Sequence, residues 1–336
     1  MNKLRKIGVS ALAGALASFS ANAADWSVSG QAGLTLNSTN ESIKASSFTQ
    51  SDVITISASG QTESGINIAA KFNIEDGQTY DEHMVSMGTD ALGTLTFHGH
   101  GGSVIMGQFD DVTPKAYEEV WDVTDYTAST STDVSSARIN GVGEQNAIFT
   151  YDSPTIAGVT FKAAYATANS AYAATIGNDG SGSDGRYKDW GVKIAPEMVE
   201  GLNIYYAQGT RDTSATTESD ESTVGITYTY GPVTVGYQES EEDKSGVATD
   251  NEIEAYSIAY AITDDFTVSY GQREFDHDTS ATGDGKEVQK DTGFGFSYTM
   301  GGVSIGGSFN QTDNAGGATA TTADVDGYEM NISFAF

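Results

Sequence analysis

Between Trp26 and Phe336 the sequence breaks into sixteen short runs in which apolar residues recur at every second position. Side chains alternate across a β-strand with period two, so each run is a strand with one greasy and one wet face. The first carries Trp26, Val28, Gly30, Ala32, Leu34 and Leu36 against Ser27, Ser29, Gln31, Thr35 and Asn37. Others are as clear: Ile66, Ile68, Ala70, Phe72 and Ile74, or Val224, Ile226, Tyr228 and Tyr230. The connections constrain the fold further, because they alternate strictly between short and long. Short ones include Gly60 to Ser64, Ser153 to Gly158, Pro196 to Gly201, Gly231-Pro232, Thr263-Asp264-Asp265 and Gly301-Gly302. Long polar ones run from Ser38 to Ser51, Asp110 to Gln145, Ala168 to Gly185, Asp212 to Glu221, Glu239 to Asp250, Glu274 to Lys290 and Gln311 to Val325. A soluble Greek-key sandwich would mix the two lengths. Strict alternation instead predicts an all-β fold, a sixteen-stranded antiparallel transmembrane barrel with tight turns at one membrane surface and long loops at the other.

Both ends of the chain agree with this reading. On the last strand Tyr328, Met330, Ile332, Phe334 and Phe336 share one face, and Glu329, Asn331, Ser333 and Ala335 the other. At the start, Lys3, Arg5 and Lys6 precede an apolar stretch from Ile7 to Phe19, and Ala21-Asn22-Ala23 has the small-x-small pattern of a secretory cleavage site. Residues 1–23 are therefore expected to be a signal peptide, leaving a barrel domain over 24–336. That apolar stretch is shorter than the ~20 residues a helix needs to cross a bilayer, so any span must be made of strands. Aromatic residues fall in two belts. Trp26, Tyr151, Phe161, Tyr230, Tyr260, Phe266, Phe334 and Phe336 lie at turn ends, and Tyr165, Tyr206, Tyr237, Tyr270, Phe309 and Tyr328 toward loop ends.

A net charge of −30 excludes a nucleic-acid partner, whose phosphates need a basic surface, and favours the approach of cations. With no cysteine there is neither a disulfide framework nor thiol chemistry. Three of the four prolines sit in short turns and the fourth, Pro114, in a loop, so none interrupts a ladder.

Residues 146–165 read NAIFTYDSPTIAGVTFKAAY. Asn146, Ile148, Tyr151, Ser153-Pro154, Gly158 and Tyr165 resemble the strand, turn and strand after the third loop of Gram-negative general diffusion porins. Leu92-Gly93-Thr94-Leu95-Thr96 and the terminal Phe336 match the same family, and the leader and opening strand look most like its α-proteobacterial members. The resemblance implies a homotrimer of barrels in the outer membrane, in contact with the lipid bilayer and outer-leaflet lipid. It implies passive diffusion of small hydrophilic solutes and cations, and a last strand that the barrel assembly machinery reads at Tyr328, Phe334 and Phe336. It also implies that the third loop, Asp110 to Gln145, folds inward as the constriction. That loop carries Asp110, Asp111, Glu118, Glu119, Asp122, Asp125 and Asp133 against Lys115 and Arg138. By parity the lumen-facing bases are Lys71, Lys162, Lys193 and Arg273. Lys71 and Lys162 are expected on the wall facing the loop, Lys193 near the periplasmic exit and Arg273 near the rim. No arginine occurs on the first four strands, where the family usually sets basic residues, so acidic charge dominates and the pore is expected to favour cations.

Two other chemistries are open at this point. His98 and His100 are expected on one face of the fifth strand and, with Ser103, would suit an outer-membrane hydrolase with a lumen or rim site. No cofactor is required, although Asp110-Asp111, Glu118-Glu119 and the group Glu239, Glu241, Glu242 and Asp243 offer oxygen ligands for Ca2+ in acidic loops, without an EF-hand spacing.

Overall fold

The computed structural model of the protein describes residues 24–39, 46–75, 81–121, 138–142, 147–167, 186–212, 218–244, 250–277, 287–317 and 324–336. The expected signal peptide lies outside them. Sixteen antiparallel strands close into one barrel in sequence order, with β1 pairing β16. They are β1 (Asp25–Thr39), β2 (Ser46–Gln61), β3 (Asn67–Glu75), β4 (His83–Thr89), β5 (Gly93–His100), β6 (Ile148–Asp152), β7 (Val159–Ala166) and β8 (Tyr187–Ile194). The second half comprises β9 (Leu202–Asp212), β10 (Glu218–Tyr230), β11 (Val233–Lys244), β12 (Asp250–Thr263), β13 (Phe266–His277), β14 (Gln289–Met300), β15 (Val303–Asp313) and β16 (Val325–Ala335). One short helix, α1 (Ile105–Gln108), follows β5. No helix among the described residues is long and apolar enough to cross a membrane.

The barrel is inside out relative to a soluble protein. Val28, Leu34, Ile54, Val85, Leu95, Trp190, Ile226, Tyr256 and Phe294 are exposed on the outer wall. The buried strand residues are largely polar, among them Thr223, Gln238, Ser240, Ser269, Asn310, Thr312 and Glu329. An exposed apolar surface of this extent needs a solvent other than water, and the hydrocarbon of a bilayer is that solvent.

Closure depends on the chain's last residue. The register of β1 and β16 runs from Gln31 opposite Ala335 to Thr39 opposite Gly327. Beyond it, the Gly30 amide donates to the Phe336 carbonyl at 2.8 Å and the Phe336 amide returns a bond to Gly30 at 2.9 Å. A β carbon at Gly30 would come within 2.4 Å of the Phe336 ring, so the glycine makes the niche in which the terminal aromatic rests.

Several connections are shorter than the hydrophobic pattern predicts. β1 reaches Thr39 and β2 begins at Ser46, within the stretch expected to be a loop from Ser38 to Ser51. Likewise β10 and β11 stay paired out to Ser219 opposite Lys244, and β11 and β12 to Asp243 opposite Asp250. Beyond the hydrocarbon neither face of a strand needs apolar side chains, so apolar alternation stops while the backbone ladder continues. The acidic group expected in a loop thus lies on β11, and the pleat divides it. Glu242 is buried and accepts bonds from Ser219 (3.0 Å) and Asn251 (2.8 Å). Glu239 is on the opposite face, where the Tyr237 hydroxyl donates to it at 3.2 Å. The four carboxylates therefore do not form one ligand set.

Candidate functional site

The chain between β5 and β6 turns into the barrel. Gly101, at φ 70, takes the left-handed conformation that redirects it, and α1 follows as a single turn. Val104, Ile105, Met106 and Phe109 are buried and pack with Ile148, Ala164, Tyr187 and Ala207, sealing the loop to the wall of β6 to β9. A wall carboxylate accepts one of the helix's unpaired amides, Met106 N–H to Asp189 Oδ2 at 2.7 Å.

From there the loop crosses the lumen along the wall. Gln238 on β11 grips it on both sides, donating to the carbonyls of Phe109 (2.6 Å) and Asp110 (3.1 Å) and accepting from the Val112 amide (2.7 Å). Ser257 on β12 donates to the Pro114 carbonyl at 2.5 Å, and Ser269 on β13 accepts from the Ala116 amide at 2.9 Å. At the far side Tyr117 donates to Glu329 on β16 at 2.6 Å. The returning limb passes Asn310, which donates to the Glu119 carbonyl, and reaches Trp121, whose ring lies 3.8 Å from the Arg273 guanidinium.

Beneath this path the wall is stripped of side chains. Gly225 lies under Val112, Gly236 under Pro114, Gly293 under Val120 and Gly306 under Tyr117. A β carbon at these positions would stand 2.4, 2.5, 2.8 and 2.2 Å from those residues, respectively. Glycine inside a strand marks close approach by another piece of chain, and here a row of them forms the seat.

The acids cluster around Lys115 on the same stretch of loop. Asp111 Oδ1 accepts from the Thr113 amide (2.8 Å) and hydroxyl (2.7 Å). The Lys115 ammonium pairs with Glu119 and lies 3.7 Å from Asp111. Burial, reinforced by the charges of Glu119 and Asp111, pushes the Asp110 carboxyl above its usual range against the pull of Lys115. Burial would also raise Glu119, but the adjacent Lys115 outweighs it and holds that carboxyl below its usual range. Lys115 in turn is held above its usual value, because Asp111 and Glu119 overcome the burial that would lower it.

The remaining wall faces these acids across the lumen. Its inner side follows from Glu329, which meets Tyr117 of the loop; Asn331, two residues on, donates to Thr35 at 2.8 Å. On the same face lie Gln31, Thr55 and Asn73, with Thr55 donating to Asn73 at 2.9 Å. β1 to β4 contain no arginine, and Lys71 is their only lysine.

The molecule is thus a closed sixteen-stranded barrel with an acidic loop seated on its inner wall, and the family model for Gram-negative porins matches residues 8–289. The chain belongs to the Gram-negative porin family. Solved porins share its fold. An anion-selective porin from Comamonas acidovorans superposes with a TM-score of 0.67 at 14% identity, covering 93% of this chain and 100% of its own. Salmonella typhi OmpF, in complex with daunomycin, gives 0.65 at 11% identity, with 93% and 97% covered. OmpT, an outer membrane protein of Vibrio cholerae solved in a trimer form, gives 0.65 at 12%, with 93% and 99% covered. A comparison with curated protein sequences found no match.

Against this porin framework the residues singled out from sequence divide. Asp110, Asp111, Glu118 and Glu119 all lie on the seated loop, and Arg138 lines a small pocket behind it with Asp110, Asp111 and Trp121. Asp122, Asp125 and Asp133 lie outside the described residues. Lys71 is on the facing wall. Lys162 is not: it stands on the loop's own side, donating to Gln108 of α1 at 2.9 Å and pairing with Asp152, because α1 packs against β7 itself. Arg273, toward the loop end of β13, is 1% exposed and paired with Asp291 at 2.6 Å. His98 and His100 do not share a simple face, since a bulge sets His83 opposite His100 and Met84 opposite His98, leaving Gly99 extra. His98 lies 3.3 Å from the Thr150 hydroxyl, His100 3.1 Å from Asp81, and Ser103 donates to the Val104 carbonyl. The three supposed hydrolytic groups thus have separate partners. Among the described residues no three His, Cys, Asp or Glu side chains converge to hold a metal. The sequence reading missed the residues that seat the loop: Asp189, Gln238, Ser257, Ser269 and Glu329, and the glycines beneath it. The glycines carried a signal, being lumen-parity glycines inside otherwise regular strands.

Proposed function

We propose that this porin is an outer-membrane channel for passive diffusion of small hydrophilic solutes, and that it favours cations. The observation that carries the reading is the contrast of charge across the lumen. Asp110, Asp111, Glu118 and Glu119 ride on the seated loop with Lys115 and Arg138 as near counter-charges, while the facing wall offers hydroxyls, amides, Lys71 and the carboxylates Glu75 and Glu82 that accept from Asn73, and so no cluster of bases. Carboxylates within a Debye length of about 8 Å of a permeating ion concentrate cations and repel anions. The test is the reversal potential of single channels in a planar bilayer under a salt gradient. A cation-selective sign supports the reading, an anion-selective one overturns the charge argument, and absence of conductance from folded barrels overturns the channel.

The same reading has the protein exported by cleavage before Ala24 and inserted through recognition of Tyr328, Phe334 and Phe336 by the assembly machinery. It also makes the porin a homotrimer. Apart from Trp26, the outward faces of β1 to β5 carry no tyrosine or tryptophan, whereas strands from β6 to β14 carry them in both belts. A wall without the girdle that sits in lipid headgroups is suited to packing against another copy, and the rest to contact with the bilayer and outer-leaflet lipid. Diffusion through water needs no cofactor. Calcium, in this reading, acts only outside the barrel, on outward carboxylates such as Glu239 and Glu241 of β11 opposite Glu254 and Glu252 of β12.

A further inference from the structure

We propose that Arg273 is a positioning residue for the constriction, a buried clasp that fixes the aperture of the channel without adding to its charge. The inference rests on the reading of the seated loop as the constriction.

The geometry is that of a two-sided grip. From the wall, Asp291 on β14 accepts from Arg273 Nε at 2.7 Å and lies 2.6 Å from Nη2, with both side chains essentially inaccessible at 1% and 0%. The other Asp291 oxygen accepts from the Thr312 hydroxyl at 2.6 Å, and Gln289 donates to both oxygens at 3.1 and 3.2 Å. Gln289 in turn accepts from the Gly316 amide, in the connection after β15, at 2.9 Å. The carboxylate therefore has partners from β13, β14 and β15 and cannot swing. From the lumen, the Trp121 ring covers the guanidinium plane at 3.8 Å. Trp121 is itself buried at 5% and follows Glu118 and Glu119 closely along the loop.

Two consequences follow. A desolvated guanidinium stacked on an indole and paired with a fixed carboxylate holds the loop by a directional contact, one that lysine cannot reproduce because its ammonium is neither planar nor forked. Second, the positive charge is neutralised at contact by Asp291 and shielded from the lumen by Trp121. It does not offset the acids of the loop, although its parity counts it among the lumen bases. Ion pairs of this kind are weak stabilisers compared with apolar packing, which makes holding a particular geometry the better account of it.

The test separates aperture from charge by measuring conductance and reversal potential on the same refolded channels. Trp121→Ala removes the loop's half of the clasp and leaves every strand intact. It should raise single-channel conductance roughly twofold and add open-channel noise, as current scales with the open cross-section, with reversal potential unchanged. Trp121→Phe, which keeps an aromatic face, should restore conductance toward wild type. Arg273→Lys, which keeps the charge, should behave like Trp121→Ala. Wild-type conductance and noise in Trp121→Ala would overturn the clasp, and so would a shifted reversal potential at unchanged conductance in Arg273→Lys. Should Arg273→Lys fail to fold, Trp121→Ala decides alone. A wild type that does not conduct would refute the channel reading, an outcome distinct from either.

Discussion

The two halves of the lumen wall are built on opposite rules. From β8 to β16 the inner face sets glycines among hydroxyls, amides and buried charges, and much of it serves the loop: Gly225, Gly236, Gly293 and Gly306 make room, while Gln238, Ser257, Ser269 and Glu329 bind the loop that fills it. From β1 to β4 the inner face is also polar, with Gln31, Thr35, Thr55 and Asn73, and among the described residues Thr55 bonds Asn73 and Thr35 bonds Asn331 across the strands rather than a loop. Similar composition thus serves two ends, docking on one wall and wetting on the other. The difference lies in what covers the glycines, because a bare backbone inside a strand marks close approach by another group: Gly225, Gly236, Gly293 and Gly306 lie under the loop, whereas Gly33 of β1 lies under the wall side chains Ser51 and Asn331.

The comparison is most easily broken at the seam where the two walls meet. Phe336→Asp, or deletion of Phe336, is expected to abolish most insertion into the outer membrane. A charge at the interface costs a folded barrel only ~0 to 1 kcal/mol, so the larger loss falls on assembly, which must recognise the terminal strand and set Phe336 against Gly30. Surface labelling measures it, and normal surface levels of Phe336→Asp would sink the idea.

Next in size is the glycine seat. Gly306→Ala drives a methyl into the Tyr117 ring, and overpacking of this kind costs about 1–3 kcal/mol. The loop tip should lift from Glu329, with a lower thermal midpoint and an altered single-channel conductance. Ser57→Thr adds a methyl to the facing wall and should change neither. Equal effects in the two variants would show that the walls do not differ as described.

The charge contrast is sharpened by changing one side at a time. Neutralising Asp110, Asp111, Glu118 and Glu119 together should move the reversal potential toward zero with conductance persisting, and high salt should do the same through screening. Lys71→Glu on the facing wall should move it the other way, by less, since the charge changes by two units instead of four. If the quadruple variant keeps its selectivity, the loop acids do not set it.

How much of this was legible in the sequence follows from what leaves a period. The barrel was legible because Val28, Leu34, Ile226 and Phe334 must face hydrocarbon, and hydrocarbon imposes period two. Strand ends were not, because Ser46 to Gln50 or Glu241 to Lys244 are mostly polar at successive positions and carry no hydrophobic alternation, although their backbones stay paired. The acidic loop was legible from its length and charge. Its anchorage was not, since parity puts Lys162 and Arg273 in the lumen but cannot say whether a lumen residue touches water or loop. Lys162 meets Gln108 and Arg273 meets Trp121, and both contacts depend on where the loop runs. Gly99 shows the same limit locally, as one extra residue undid a face assignment that spacing alone had made for His98 and His100.

The smallest expected effect is the response to acid, and its sign differs between two acids of the same loop. Asp110 has a raised pKa, so as pH falls it is the first of the pair to lose its charge, above the usual carboxylate range. Glu119 has a lowered one and keeps its charge to below that range. Cation selectivity should therefore fall in two stages, and Asp110→Asn should remove the first stage while leaving the second. The linkage to loop docking runs in opposite directions. A group whose pKa is raised by the docked state binds its proton more tightly there, so protonation of Asp110 favours docking as pH falls through the raised value. A group whose pKa is lowered contributes stability that is present above its ordinary value and lost as pH falls through the docked one, so protonation of Glu119 releases Lys115 and loosens the loop. Conductance should accordingly hold steady through the first stage and change only in the second. Recording reversal potential and conductance across a descending pH series checks both, and a conductance change that accompanies the first loss of selectivity would show that Asp110 holds the loop by its charge.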